Sequence, residues 1–189
     1  MFLFFDTETA DLPRRWDAPY TDTRNWPRVV QIAWILCGSA EEAVEAESHL
    51  IQPDGFTISP GAYQQHGIST EYALEHGEPL RPVLDKFVAD VTTARALVAH
   101  NIDFDTNVIG AELVRAGMDN RLPAKRRRCT MKESADFCRL PGKYGYKWPT
   151  LTELHEILFG SPFDGAHDAT ADCRACMNSF FELMKRGAI

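Results

Sequence analysis

No stretch of the 189 residues approaches the roughly 20 consecutive apolar residues that a spanning helix requires, so no membrane partner is expected. The opening residues carry no basic segment and meet an aspartate at position 6, which is not the pattern of a secretory signal peptide. Positive charge is outnumbered: 20 Lys and Arg against 27 Asp and Glu leave a net charge of −7 and a pI near 5.3. Coating of nucleic acid by bulk electrostatics is thereby disfavoured, although a local basic strip beside an acidic, cation-filled site is not. Cysteine is sparse and odd in number, five at irregular spacing. That argues against a disulfide framework and for reduced thiols in a cytoplasmic protein. No internal repeat or low-complexity tract is present. With 44% hydrophobic residues, residues 1–189 are expected to form one globular domain that buries its core without staples.

The chain is organised around its first nine residues, MFLFFDTET. Phe2 to Phe5 form a short apolar run typical of a strand covered on both faces. Asp6 and Glu8 follow two apart, so a continuing strand presents both carboxylates on one face. Taken alone, such a pair reads as the start of a solvated loop. Residues 10–28, with three prolines and two tryptophans and no periodicity, read as a loop long enough to be functional. Val29 to Cys37 is β-branched and apolar, the clearest strand in the chain. A turn at Gly38 and Ser39 and a third strand over 45–52, ended by Pro53, complete an antiparallel meander. Residues 53–79 read as irregular.

Beyond them, Val83, Leu84, Phe87, Val88 and Val91 mark one face of a helix over 81–92. Ala96 to His100 is a second buried strand. It leads into a helix whose face is Phe104, Val108, Ile109, Leu113 and Val114, stopped at Gly117. From Lys125 to Trp148 runs a mostly basic region, KRRR followed by Lys132, Arg139, Lys143 and Lys147, interleaved with Tyr144, Tyr146 and Trp148. It reads either as a solvated face or as a groove for single-stranded nucleic acid, with cations for phosphates and flat rings for bases. Thr150 and Glu153 make a capping box for a helix to Phe159. A terminal helix is predicted over 167–186, with Ala171, Ala175, Phe180, Leu183 and Met184 inward. The sum is a mixed sheet with helices on its faces.

Four carboxylates then fall at the mouths of elements: Asp6 and Glu8 after the first strand, Asp105 at the opening of a helix, and Asp172 five residues after His167. Brought together they repel, at roughly 4 kcal/mol per pair for charges about 4 Å apart in an effective dielectric near 20. Hard divalent ions with oxygen ligands, Mg²⁺ or Mn²⁺, remove that cost, and two of them form the clamp used for in-line attack on a phosphodiester.

FDTET with Asp6 and Glu8, HNIDFD with His100, Asn101, Phe104 and Asp105, and HDATAD with His167 and Asp172 together resemble the three motifs of the DEDDh 3′-to-5′ exonuclease family, which includes the polymerase III epsilon subunit, ribonuclease T and oligoribonuclease. The resemblance covers nearly the whole chain, in order. It implies a ribonuclease H-like α/β fold, a mixed five-stranded sheet with an antiparallel meander, parallel strands and helices on both faces. It also implies two metal ions held by Asp6, Glu8, Asp105 and Asp172, His167 as general base, and release of 5′-mononucleotides from a 3′ end. More softly, Thr9 and His66 match positions lining the pocket for the terminal nucleotide.

His100 and Asn101 are expected to buttress the Asp105 loop, and Asp103 and Asp168 to point elsewhere. A zinc site on Cys129, Cys138, Cys173 and Cys176 is disfavoured, because Cys173 and Cys176 fall inside a helix where small buried thiols are common. The favoured partner is single-stranded or 3′-ended nucleic acid, DNA over RNA, in repair, proofreading or nucleotide scavenging. An exoribonuclease or oligoribonuclease is the alternative, and a binding module without catalysis the less favoured one. A homodimer is compatible with the sequence. The end of the chain soon after the last helix favours a free-standing exonuclease over a polymerase subunit.

Overall fold

A computed structural model describes residues 1–38 and 42–189. Ser39, half of the expected turn, lies outside the described residues; on either side of it Gly38 N donates to Glu42 O at 3.0 Å. The main sheet is built from β1 (Phe2–Thr9), β2 (Val29–Cys37), β3 (Ala43–Leu50), β4 (Ala96–Ala99) and β5 (Arg126–Cys129), in the order β3-β2-β1-β4-β5. β1 to β3 form the antiparallel meander, with Phe2 opposite Cys37 and Gln31 opposite Leu50. β4 and β5 add in parallel.

The two faces follow from the period of two along β1. Leu3 and Phe5 turn to one side, into a core with Trp34, Leu97 and the apolar stripes of α3 (Leu80–Thr93) and α4 (Ile102–Arg115). Phe4 turns to the other, against Phe180, Phe181, Cys173 and Cys176. These last belong to the terminal helix, Ala169–Lys185. The same alternation carries past the apolar run: Asp6 and Glu8 share the face of Phe4, and buried Thr7 shares that of Phe5.

Several sequence expectations need correction; Val114 and Met184, expected on the inner faces of their helices, are both exposed. KRRR is not merely a basic strip, since Arg126 to Cys129 is the edge strand β5, pairing Ala96 with Arg126 through Ala99 with Cys129. An edge strand tolerates long cationic side chains whose stems lie along apolar surface; Arg128 sits 5.1 Å from the Phe180 ring and pairs with Glu133. Residues 53–79 are not irregular: they hold α1 (Pro60–His66) and α2 (Thr70–His76), capped by Ser59 and Ser69. Seven residues each, with no buried residue in α1 and only Ala73 in α2, they carry no apolar stripe to read. Finally, the terminal helix begins at Ala169 and not at His167, because the Asp168 carboxylate accepts from Thr170 N and Ala171 N and ends the helix there.

Short elements bridge β5 and the last helices: α5 (Thr130–Glu133), α6 (Ala135–Cys138), and a two-stranded hairpin of β6 (Pro141–Gly142) and β7 (Gly145–Tyr146). α7 (Leu151–Phe159) opens on the predicted capping box of Thr150 and Glu153. The terminal helix is α8. No helix among the described residues is long and apolar enough to cross a membrane.

Candidate active site

The three motifs meet where β1 ends. Asp6 and Glu8 leave β1 on the face covered by α8, and Asp172 lies in the first turn of α8. Asp105 comes from the first turn of α4, entered through Asn101 at φ 74°. Buried Thr7 joins the two faces: its backbone N–H and its hydroxyl both donate to Asp105 Oδ1, at 3.1 and 2.8 Å. The residue between the two β1 carboxylates therefore holds the third in place.

Asp172 is placed from β2. Gln31, opposite Glu8 in the sheet register, donates from Nε2 to Asp168 Oδ2 at 3.0 Å and accepts from Ala169 N at 3.1 Å. This pins the start of α8 to the strand beside β1. His167, just outside the helix at φ 70°, donates its backbone N–H to Asp172 Oδ2 at 3.3 Å. Its ring is exposed, and ligand atoms of Glu8, His167 and Asp172 lie within 4.8 Å of one another. Gln65 of α1 stands over that ring, its Nε2 2.9 Å from Nδ1 and 2.7 Å from Nε2. An amide there can donate to whichever ring nitrogen is unprotonated, which orients the imidazole. The sequence reading missed Gln65 and Gln31, because each acts through a contact more than 100 residues away.

The two cleft walls are aromatic. A cavity of about 580 Å³ holds Asp6, Glu8, Asp105, Asp172 and His167 together with Trp16 and Trp148. Trp16 packs on Phe104 at 5.7 Å. The loop carrying it is tied to α4 by Glu112, a fully buried carboxylate that accepts from Arg28 Nε and Val29 N and pairs with Arg115. On the other wall His100 donates from Nε2 to Pro149 O at 3.0 Å, leaving Nδ1 to accept from the Thr130 hydroxyl. Burial pulls its pKa down to about 4, against the opposing bond to Pro149, so it is a neutral strut. It supports the Trp148 wall, whereas the expectation was the Asp105 loop. Asp103 turns away to Lys132 and Arg127, and Asp168 to its cap.

Thr9 and His66 line an adjoining pocket of about 330 Å³ that shares Glu8, Gln65 and Phe104 with the cleft. His66 Nδ1 accepts from Ile68 N at 3.1 Å, so Nε2 carries the proton toward Thr9 O, 3.3 Å away. Burial lowers its pKa, and it clamps the pocket wall as a neutral group.

Among the carboxylates, burial first and mutual repulsion second suppress ionisation. Asp6 is raised well above the usual range by burial, then by Asp105, Asp172 and Glu8. Glu8 is raised to about 8 by burial, then by Asp172 and Asp105. Asp105 reaches about 7 through burial despite the Thr7 hydroxyl, and Asp172 about 6 through burial despite the His167 N–H. The folded chain thus keeps protons that the unfolded chain has released, and its stability falls as pH rises from about 4 through the folded values. In EDTA the thermal midpoint is expected to drop steadily between pH 5 and pH 8. A midpoint that rises over that interval would contradict the arrangement.

The donors also fit a divalent cation. Carboxylate oxygens are the ligands hard ions take, and buried Asp172 Oδ1 has no hydrogen-bond partner in the protein, an orphan that an ion would satisfy. Cys173 and Cys176 stay in the core against Phe4, whereas Glu8 and Asp172, with the His167 ring, already stand within reach of a shared ion, and Asp6 and Asp105 line the same cavity beside them.

The sequence profile of the RNase_T family, described as exonuclease, matches residues 3–180. The chain belongs to this exonuclease family, of the DEDD type. It is 29% identical over 188 residues to the 3′-5′ exonuclease DinG of Bacillus subtilis, covering 98% of this chain and 18% of DinG. The fold is the ribonuclease H-like one of exonuclease I of Escherichia coli. A zinc-bound complex of that protein with single-stranded DNA superposes with a TM-score of 0.78 at 22% identity, over 98% of this chain and 40% of that one. Its complex with a dT13 oligonucleotide gives 0.76 at 23% identity, over 97% and 40%. The exonuclease domain here thus spans less than half the length of these relatives.

Proposed function

We propose that residues 1–189 form a single metal-dependent exonuclease domain that hydrolyses phosphodiester bonds from the 3′ end of single-stranded DNA and releases 5′-mononucleotides. The observation that carries this reading is the convergence of four carboxylates from β1, α4 and α8 with an exposed, oriented histidine at the foot of an aromatic-walled cleft. Asp6, Glu8, Asp105 and Asp172 would hold two ions, Mg²⁺ or Mn²⁺. Such ions, when bound, neutralise the carboxylates, polarise the phosphoryl group and acidify water.

The chain's own groups supply the remainder. His167, at the solvent side of the cleft, takes the proton of the attacking water as the bond to the 3′ oxygen breaks. Gln65 holds the ring toward Glu8 and Asp172. The pocket walled by Thr9 and His66 receives the terminal nucleotide, and Phe104, shared by pocket and cleft, lies where adjacent bases separate. Trp16 and Trp148, 60% and 58% exposed, offer stacking surfaces that only unpaired bases can use. DNA is favoured because the fold's neighbour, exonuclease I, has been captured on single-stranded DNA.

A gel time course on matched 5′-labelled DNA and RNA oligonucleotides in Mg²⁺, Mn²⁺ or EDTA tests the proposal. A ladder shortening from the 3′ end with metal, faster on DNA, is expected; uncut strands under both metals would overturn it. In the companion melting scan, Mg²⁺ raises the midpoint most at pH 8, where the ligands ionise most readily.

A further inference from the structure

The basic and aromatic stretch before α7 has no part in the cleft chemistry, yet in the fold it is no flat solvated face. β6 and β7 stand apart from the main sheet as a hairpin, Pro141 paired with Tyr146 and Gly142 with Gly145, so Lys143 and Tyr144 form its tip. Residues 139–148 hold Arg139, Lys143 and Lys147 and no carboxylate, in a chain of net charge −7. Tyr144 is 90% exposed and Tyr146 52%. Lys143 Nζ lies 5.1 Å from the centre of the Tyr144 ring, and Lys132 Nζ 5.5 Å from that of Trp148. Cations and flat rings are thus paired outward, where they stabilise little of the fold.

The hairpin is also firmly mounted. Lys147 N donates to Leu140 O at 2.9 Å, and Lys147 Nζ lies 2.5 Å from Glu153 in the capping box of α7. A side chain on Gly142 would meet Lys147 N at 2.9 Å, and Gly145 has φ 116°, so the tight geometry depends on both glycines. Just below, Trp148 and Pro149 are part of the cleft wall, and His100 anchors Pro149. The chain therefore leads directly from the cleft wall at Trp148 to the tip. Four residues from Trp148 to Tyr144 reach at most about 14 Å, enough to set the tip a few nucleotides along the strand from the cleft.

We infer that the β6–β7 hairpin is a second contact for the nucleic-acid strand, in which Lys143 meets a phosphate and Tyr144 stacks on a base several nucleotides before the 3′ end. Placement relative to the 3′ end rests on the exonuclease reading; binding at the hairpin does not. The grip explains how a chain of net negative charge can hold a polyanion with its end in an acidic cleft: the cations are displaced along the strand from the carboxylates.

The test compares the whole chain with the double variant Lys143→Ala, Tyr144→Ala, using fluorescence anisotropy of 5′-labelled dT20 and dT3 over a series of KCl concentrations, with Ca²⁺ present to neutralise the carboxylates. The variant is expected to lose roughly 10-fold in affinity for dT20, to narrow the preference for dT20 over dT3, and to lower the slope of log K against log salt by about 0.7, one phosphate contact. Lost affinity with the wild-type salt slope would overturn the phosphate role of Lys143. Unchanged dT20 affinity and slope, or no wild-type binding of dT20, would overturn the inference. Strand shortening in the gel assay is read separately, so a protein that binds through the hairpin without degrading its strand refutes the exonuclease reading alone.

Discussion

Asp6→Ala is expected to lower hydrolysis by more than roughly 10³-fold, on the scale of losing a charge-stabilising group from an active centre, while the protein remains folded. The two halves of that result have the same cause. Asp6 sits among Asp105, Asp172 and Glu8, and burial together with those neighbours makes its ionisation costly. Removing it deletes a donor from the proposed cation site and relieves repulsion in the metal-free chain. The melting midpoint in EDTA at pH 8 should therefore equal or exceed that of the wild type, while the rise produced by Mg²⁺ shrinks. Circular dichroism melts beside the gel assay check both halves. Wild-type turnover in the variant would remove Asp6 from the site, and loss of activity through unfolding would show as a collapsed melt.

His167→Ala carries the second largest effect, a fall in kcat of about 10²- to 10⁴-fold with little change in KM. The ring makes no contact that the core depends on: it is exposed, and it lies against Gln65, Glu8 and Asp172. Its backbone, at φ 70°, is less suited to alanine than to asparagine, which enters the left-handed region more easily. His167→Asn is therefore the paired variant, keeping the backbone while lacking a base. Equal losses in the two, with partial rescue by added imidazole, identify lost proton transfer as the defect. An unchanged kcat in both would move the base elsewhere.

Much of this site was legible in the sequence because its carboxylates occupy positions that local rules place. A period of two puts Asp6 and Glu8 on one face of β1, and Asp105 and Asp172 each fall in the first turn of a strongly patterned helix. The fifth strand was not legible: three arginines give no alternation, and β5 exists because β4 offers it a free edge and Phe180 and Glu133 receive Arg128. Nor were α1 and α2, whose seven residues each bury almost nothing and whose existence is owed to serine caps and glycine or extended stops.

From the sequence alone came β1 to β4 and the four longest helices in order, the acidic quartet with its histidine, and the family those motifs resemble, since each depends on spacing within a few residues. Tertiary structure decided what spacing cannot express. Thr7 holds Asp105 across 98 residues, Gln31 pins α8 across 137, and Gln65 orients His167 across 102. Those contacts form only when β1, β2, α1 and α8 are packed together, and the same packing, by excluding water from four neighbouring carboxylates, raises their pKa values and readies the site for a cation.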